Sequence, residues 1–314
     1  MASVWPVTEG DALPPPETVE VADGVYAYLQ PDGSWWINNT GFLAGSSMTV
    51  AIDTCSTERR TRDLIAAIGG VTDRAVRTLV NTHHHGDHTN GNCLFADATI
   101  VGHRNCRTGV LAQHIGGLEP VFGPVDWGDL RITAPSVVFD DRLTVFAGDR
   151  EIQLHYIGTP AHTTGDVVAW LPAERVLFAG DLLFDGGTPF LLMGSVRGAL
   201  VALQRLRDYD TAAIVPGHGP VCGASTIDLV EAYVQFVLAL AGEAHAAGLS
   251  PLDAAREVDL GPYAELHDRE RIVGNLHRAY AELEGEPLGS PIDIAAAFGD
   301  MITYNGGRPL RCLA

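Results

Sequence analysis

Over the first two thirds of the chain, apolar residues come in short runs of strand length broken by turn residues; over the last third they fall at helical spacing. Val19 and Val21, an Asp23-Gly24 turn, then Val25, Tyr26, Tyr28 and Leu29 predict a hairpin. A second turn, Pro31-Asp32-Gly33-Ser34, leads into Trp35-Trp36-Ile37. Read as a strand, that run puts its indoles on opposite faces, so one at most faces a pocket. Strands follow over residues 41–44 and 48–52, the latter ending at Asp53, and then a helix over 57–68, stopped by Gly69-Gly70. Val76, Leu79 and Val80 predict a strand that runs into a polar loop at Asn81, and 97–101 predicts another. Residues 103–130 read as an irregular insertion with a short helix at 107–115. Strands are expected at 137–139, 143–146, 152–157, 167–171, 176–178 and 212–215, with a helix at 195–208.

From residue 225 the pattern is helical. Ser225-x-x-Asp228 reads as a capping box opening a helix to about residue 247, Ser250-Pro251-x-Asp253 opens a second, and Ser290-Pro291 a fourth. Leu266, Ile272, Val273, Leu276, Tyr280 and Leu283 share one face of the third, closed by Gly285. The expected organisation is an extended, proline-rich arm over residues 1–17, a mixed α/β body over 18–224 and a helical extension over 225–314. The extension offers a lid, a homodimer face or a cover for the core.

Composition narrows the chemistry. The chain carries a net charge of −19, and its twenty basic residues are all Arg. Lysine Schiff-base and general-base chemistry is excluded, and so acidic a surface repels nucleic acid and anionic lipid. Cys55, Cys93, Cys106, Cys222 and Cys312 are scattered, with no C-x-x-C pair, which predicts free thiols and a cytoplasmic setting. The start of the chain lacks a basic patch followed by an apolar run, so no signal peptide is expected. The longest apolar stretch, 234–241, reads as too short for a membrane span.

The chemistry concentrates in the loop after the strand at 76–80. His83, His84, His85, Asp87 and His88 put four imidazoles and a carboxylate within six residues. Imidazole and carboxylate are the ligands zinc takes where its site stays open for a reaction. Three later signals complete the set: His162 in Thr159-Pro160-Ala161-His162, Asp181 in Phe178-Ala179-Gly180-Asp181, and His218 in Val215-Pro216-Gly217-His218.

His83-x-His85-x-Asp87-His88, followed in order by those three, resembles the signature of the metallo-β-lactamase superfamily, over roughly residues 20–225. The resemblance implies a four-layer αβ/βα sandwich and two zinc ions. His83, His85 and His162 would hold one, Asp87, His88 and His218 the other, and Asp181 would bridge them, with His84 a spacer turned away. Two dications a few ångströms apart would bring the pKa of a shared water from about 15.7 toward 7, and Asp87 would be the catalytic proton relay. Asp53 would lie beneath the metal loop, either bonded to a ligand histidine or as a plain strand-end cap.

An Asp at 181, no signal peptide and no Lys make the chain look more like the glyoxalase II, lactonase and thioesterase branch than the true β-lactamases. The four arginines of the extension named for glutathione binding, Arg256, Arg269, Arg271 and Arg278, do not match that enzyme's pattern. The expected reaction is hydrolysis of an ester, thioester or lactone of a small, largely apolar or aromatic molecule. Trp35, Trp36, Phe122, Trp127, Phe184 and Phe190 are candidates for the pocket wall, and no arginine flanks the metal motifs closely in the sequence. A mononuclear iron persulfide dioxygenase is the alternative, with a β-lactam hydrolase or polyketide-cyclase-like metalloenzyme behind it. A non-catalytic scaffold is disfavoured because no ligand position has been lost.

Overall fold

The structure is a computed structural model describing residues 13–314. The predicted arm falls largely on residues 1–12, outside the described residues, and 13–16 have no regular structure. The first sheet holds β1 (Glu17–Ala22), β2 (Val25–Leu29), β3 (Thr40–Ala44), β4 (Thr49–Ile52), β5 (Val76–Asn81), β6 (Thr99–His103) and β7 (Val137–Phe139), in that spatial order. Its first four strands pair antiparallel and β4 to β7 pair parallel. The second sheet holds β8 (Arg142–Ala147), β9 (Arg150–Tyr156), β10 (Val167–Leu171), β11 (Val176–Phe184) and β12 (Ala213–His218), all antiparallel except β11 with β12.

The central strands of each sheet are buried on both faces. Ala27, Leu29, Val50, Ile52 and Val80 of the first pack on Leu154, Val167, Ala169, Phe178 and Val215 of the second. Their strand neighbours Tyr28, Phe42, Ala51 and Leu79 pack on Leu64 and Ile68 of α1 (Glu58–Val71). In β11 all nine residues are buried: Val176 and Phe178 face the other sheet, while Leu177 and Ala179 face the helices. A strand covered on both sides loses its alternation, which is why this one reads from its residues as a plain apolar run. The layers are those of the αβ/βα sandwich.

After β5 come the single turn α2 (Gly86–Thr89), then α3 (Arg104–Ala112) and α4 (Glu119–Phe122) in the insertion. On the far side, α5 (Val196–Leu206) packs with α6 (Ser225–Ala246), α7 (Pro251–Glu257), α8 (Arg271–Leu283) and α9 (Ile294–Tyr304). Tyr233, Val234, Ile272, Leu276, Ala297 and Met301 from these late helices join Leu177, Leu183 and Leu203 in one core. α6 has 22 residues and is long and apolar enough to cross a membrane by length and composition, against the shorter stretch expected. One face of it, with Ile227, Val230, Tyr233 and Val234, lies in that core.

Four local expectations change. α1 does not stop at Gly69-Gly70 but runs through both to Val71, its end closed by Thr72 N donating to Ile68 O. Ser225 opens no capping box, because Ala224 is the cap residue, with no side-chain bond. α9 begins at an Asp293 cap, later than Ser290-Pro291 suggests. Trp35-Trp36 is no strand: Ile37 N donates to Ser34 O, which closes a turn, and Trp36 has a φ of 67°.

Candidate metal centre

The parallel strand ends of the two sheets lie together and bring the chemistry to one edge. The end of β5 leads into His83, His85, Asp87 and His88, β11 carries Asp181, β12 ends on His218, and the turn before β10 carries His162. That turn is held by the Asp166 carboxylate, which accepts from Thr163 N at 2.9 Å and Thr163 Oγ1 at 2.6 Å.

His83, His85, His162 and Asp181 present ligand atoms within 4.8 Å of one another, and so do Asp87, His88 and His218. Asp181 touches both groups. Its Oδ2 lies 3.2 Å from His162 Nε2 and 3.3 Å from His218 Nε2, and its Oδ1 lies 3.0 Å from His88 Nε2. Asp87 Oδ2 lies 3.4 Å from His218 Nε2.

The outward-facing nitrogens are tied down. His88 Nδ1 is 2.8 Å from Asp53 Oδ2, His218 Nδ1 is 3.0 Å from Gly33 O, and His162 Nδ1 is 2.5 Å from Phe190 O. Those oxygens only accept, so the three Nδ1 atoms carry protons and Nε2 is the atom each ring turns to the centre. His83 Nδ1 lies 3.1 Å from Thr82 Oγ1. His85 is turned the other way, its Nδ1 2.7 Å from His162 Nε2 and its Nε2 3.0 Å from Met193 Sδ.

Burial holds His83 and His85 well below the ordinary imidazole range. Burial acts on His88 too, but the carboxylates of Asp181, Asp53 and Asp87 outweigh it and hold this ring well above that range. Against the same burial, Asp181 and Asp87 lift His218 to about 9. Asp87 and Asp181, although buried, are held below the usual carboxylate range by these histidines.

His83 Nε2 is buried without a hydrogen-bond partner among the described residues, and His88 Nε2 and Asp181 Oδ1, although 3.0 Å apart, are not aligned for a hydrogen bond and have no other. Leaving a buried polar atom unpaired costs about 1–3 kcal/mol. A cation among converging lone pairs removes that cost, and a set of imidazoles and carboxylates suits zinc. Each of the two groups could hold a metal ion.

Asp53 lies directly under this loop. It sits at a φ of 61°, and its carboxylate takes Thr82 N at 2.8 Å and Thr82 Oγ1 at 2.6 Å as well as the His88 ring. His84 lies outside both groups, its ring wedged against Gly109 of α3. The remaining histidines, His103, His114, His155, His245, His267 and His277, also stand outside them.

Above the cluster opens a cavity of about 240 Å³. Trp35, Trp36, Phe122, Trp127, Phe184 and Phe190 all line it, and His85, Asp87, His162, Asp181 and His218 form its floor. Both tryptophans face it, against the expectation of one, because a turn with a positive φ does not alternate its side chains. Trp36 meets Trp127 edge-on at 4.8 Å, and Trp35 meets Phe190 edge-on at 4.9 Å.

The insertion supplies Ile115 and Leu118 to the wall, and the late helices supply Ile294, Phe298 and Arg271. Arg271, far from the metal motifs in the sequence, brings a guanidinium to the cavity wall. Its guanidinium stacks 4.0 Å over Trp35, bonds Thr188 O at 3.0 Å and pairs with Asp268 at 2.8 Å. At the head of an amphipathic helix, a charge reads as solvated, so only its place among the arginines of the extension pointed to it.

The family model of the metallo-beta-lactamase superfamily matches residues 33–218. A "Beta-lactamase-like protein 2 homolog" of Caenorhabditis elegans is 26% identical over 200 residues, which cover 63% of this chain and 60% of that protein. A hydroxyacylglutathione hydrolase of Rhizobium meliloti is 33% identical over 144 residues, covering 45% of this chain and 47% of that one. The chain thus spans less than two thirds of the length of either relative. Among solved structures, the DIM-1 metallo-beta-lactamase exposed to ceftazidime superposes with a TM-score of 0.59 at 17% identity, over 72% of this chain and 99% of that one. That likeness concerns the fold.

Proposed function

The chain belongs to the metallo-beta-lactamase superfamily, and from that premise we propose that it is a zinc-dependent hydrolase of an ester, thioester or lactone whose larger part is apolar or aromatic. The observation that carries this is one juxtaposition: seven donor side chains, six of them buried, stand in two adjoining groups, and five of the seven form the floor of a cavity walled by indole and phenyl rings.

His83, His85 and His162 would hold one zinc, Asp87, His88 and His218 the other, with Asp181 between them. Zinc bound there would supply Lewis acidity and lower the pKa of a water toward neutrality. Asp87, ionised and on the cavity floor, accepts a proton from the attacking water and passes it to the leaving oxygen or sulfur. Water adds its oxygen to the acyl carbon and its proton to the leaving group, so the products are a carboxylic acid and an alcohol or thiol. Trp36, Trp127, Phe122 and Phe190 bury the apolar arm, which excludes bulk water from the bond being cleaved. The hydroxyacylglutathione hydrolase among the relatives supports an acyl substrate.

The test is elemental analysis of protein purified without added metal, followed by a panel of thioesters, lactones, aryl esters, β-lactams and phosphodiesters. About two zinc per chain and turnover of an apolar acyl substrate are expected. One iron, no zinc and oxygen uptake with a persulfide would replace this reading with the dioxygenase one.

A further inference from the structure

Helix α8 carries four buried polar side chains, Arg271, Asn275, Arg278 and Glu282, at helical spacing along one face. All four are at least 97% buried, with Arg271 at the cavity wall. They bond the backbone of the irregular segment 188–195 and of the first turn of α5 that follows it: Arg271 donates to Thr188 O, Arg278 to Leu192 O, and Glu282 accepts from Val196 N and Arg197 N. Asn275 sits in the middle. Its Oδ1 accepts from Leu191 N and its Nδ2 donates to Pro189 O, both at 2.8 Å, with Tyr233 Oη 3.0 Å away.

The residue so bracketed is Phe190. Its carbonyl takes His162 Nδ1, and its ring lines the cavity. The neighbouring helix residue, Gly274, lets that ring lie on α8, since a Cβ there would stand 2.9 Å from Phe190 Cε2. Asn275 therefore fixes one residue that does two things: it orients a donor imidazole and it forms the pocket wall.

We propose that Asn275 is a positioning residue for the metal group of His83, His85 and His162, acting through the Phe190 carbonyl. The inference rests on that group holding a metal. It assigns a role in the centre to a residue of the late helices, beyond the 33–218 segment that the family model matches. With the 189–191 backbone unheld, the Phe190 carbonyl drifts from His162 Nδ1. The ring then swings or changes tautomer, and its Nε2 lone pair leaves the centre.

The experiment compares Asn275→Asp with Arg278→Met in the full chain. The first keeps the shape and the acceptor for Leu191 N but loses the donor to Pro189 O. The second removes a bond of the same helix face that holds Leu192 O instead. Zinc is titrated into metal-free protein against a chromophoric chelator, and the melting temperature of each metal-free variant is recorded. Asn275→Asp is expected to weaken one zinc by about tenfold and leave the other within about twofold. Arg278→Met is expected to lower the melting temperature with both affinities kept.

Equal affinities in Asn275→Asp and the parent, or losses in both variants that simply follow melting temperature, would overturn the proposal. A parent that binds no zinc would instead overturn the functional reading beneath it. Should Asn275→Asp not fold, Asn275→Gln, whose extra methylene displaces donor and acceptor from Pro189 O and Leu191 N, is titrated in its place. An affinity loss confined to one zinc supports the proposal there, and none overturns it.

Discussion

Replacing Asp53 with asparagine tests the centre at the point where second-row chemistry is most exposed to measurement. Asp53 Oδ2 accepts from His88 Nδ1 at 2.8 Å, and the carboxylate also takes Thr82 N and Thr82 Oγ1. In Asp53→Asn one oxygen still serves Thr82 N, but the amide nitrogen now faces His88 with two donor hydrogens. The ring answers by moving its proton to Nε2, the atom turned to the centre, and that lone pair is lost to a metal. Loss of such a partner costs about ten- to a hundredfold in metal affinity. That is about 1.4–2.7 kcal/mol. Alanine is the poorer probe. Asp53 has a φ of 61°, where asparagine is tolerated and alanine adds about 1–2 kcal/mol of strain, besides stranding the Thr82 N–H. The assay is chelator competition at neutral pH, with the melting temperature of the metal-free variant as the control for folding. An Asp53→Asn affinity within about twofold of the parent refutes the reasoning and leaves Asp53 a cap for the Thr82 turn.

Further outcomes follow from the same geometry. Asp87→Ala abolishes hydrolysis while metal-free melting is kept, because it removes a donor and the proton relay but little core volume; near-parental turnover contradicts the assignment. Trp36→Ala raises KM for aryl or long-acyl substrates by about two- to tenfold and spares small ones, by the worth of one aromatic contact. Trp35→Ala chiefly lowers melting temperature, since that indole also bonds Glu270 and stacks on Arg271; the reverse pattern would exchange their roles. Arg311→Gln tests pH linkage. Burial pushes the Asp32 carboxyl up, but Ser34 and Arg311 together hold it below its ordinary value, so this stabilisation is present above about pH 4 and is lost as pH falls through the depressed value. The gap in melting temperature between metal-free parent and Arg311→Gln should therefore close in acid, and a gap constant with pH refutes it. Gly217→Ala should lower bound metal per chain, because its Cβ would stand 1.9 Å from Asp181 Oδ1; full metal content would show that β12 can yield there.

The centre was legible because its donors are chemically loud and locally grouped: His83 to His88 announces itself within one loop, and His162, Asp181 and His218 each sit in a short glycine-bearing turn or strand end. The sheets were legible wherever β-branched runs were cut by turns. β11 was placed short, ending at Phe178, because Gly180 and Asp181 look like a strand end; the strand continues to Phe184 with a register shift at Gly180, where φ is 52°. The Trp35-Trp36 geometry lies below what pattern can tell, since the turn is set by a backbone bond from Ile37 N to Ser34 O rather than by residue type.

The polar face of α8 marks a different boundary. Arg271, Asn275, Arg278 and Glu282 have the spacing and chemistry of a solvated helix face, and hydropathy alone assigns them to water. They are buried because the partner is not a side chain but backbone outside any ladder, the irregular residues 188–195 and the open first turn of α5, whose donors and acceptors must be met somewhere. A segment without regular structure has no pattern of its own, so its demand for partners is invisible until it is seen against the helix. Buried backbone that lacks a ladder needs side chains to complete it. In this fold the segment that needs them carries Phe190 and Met193, which touch His162 and His85. The least readable part of the late helices is therefore bonded to the most readable part of the chain.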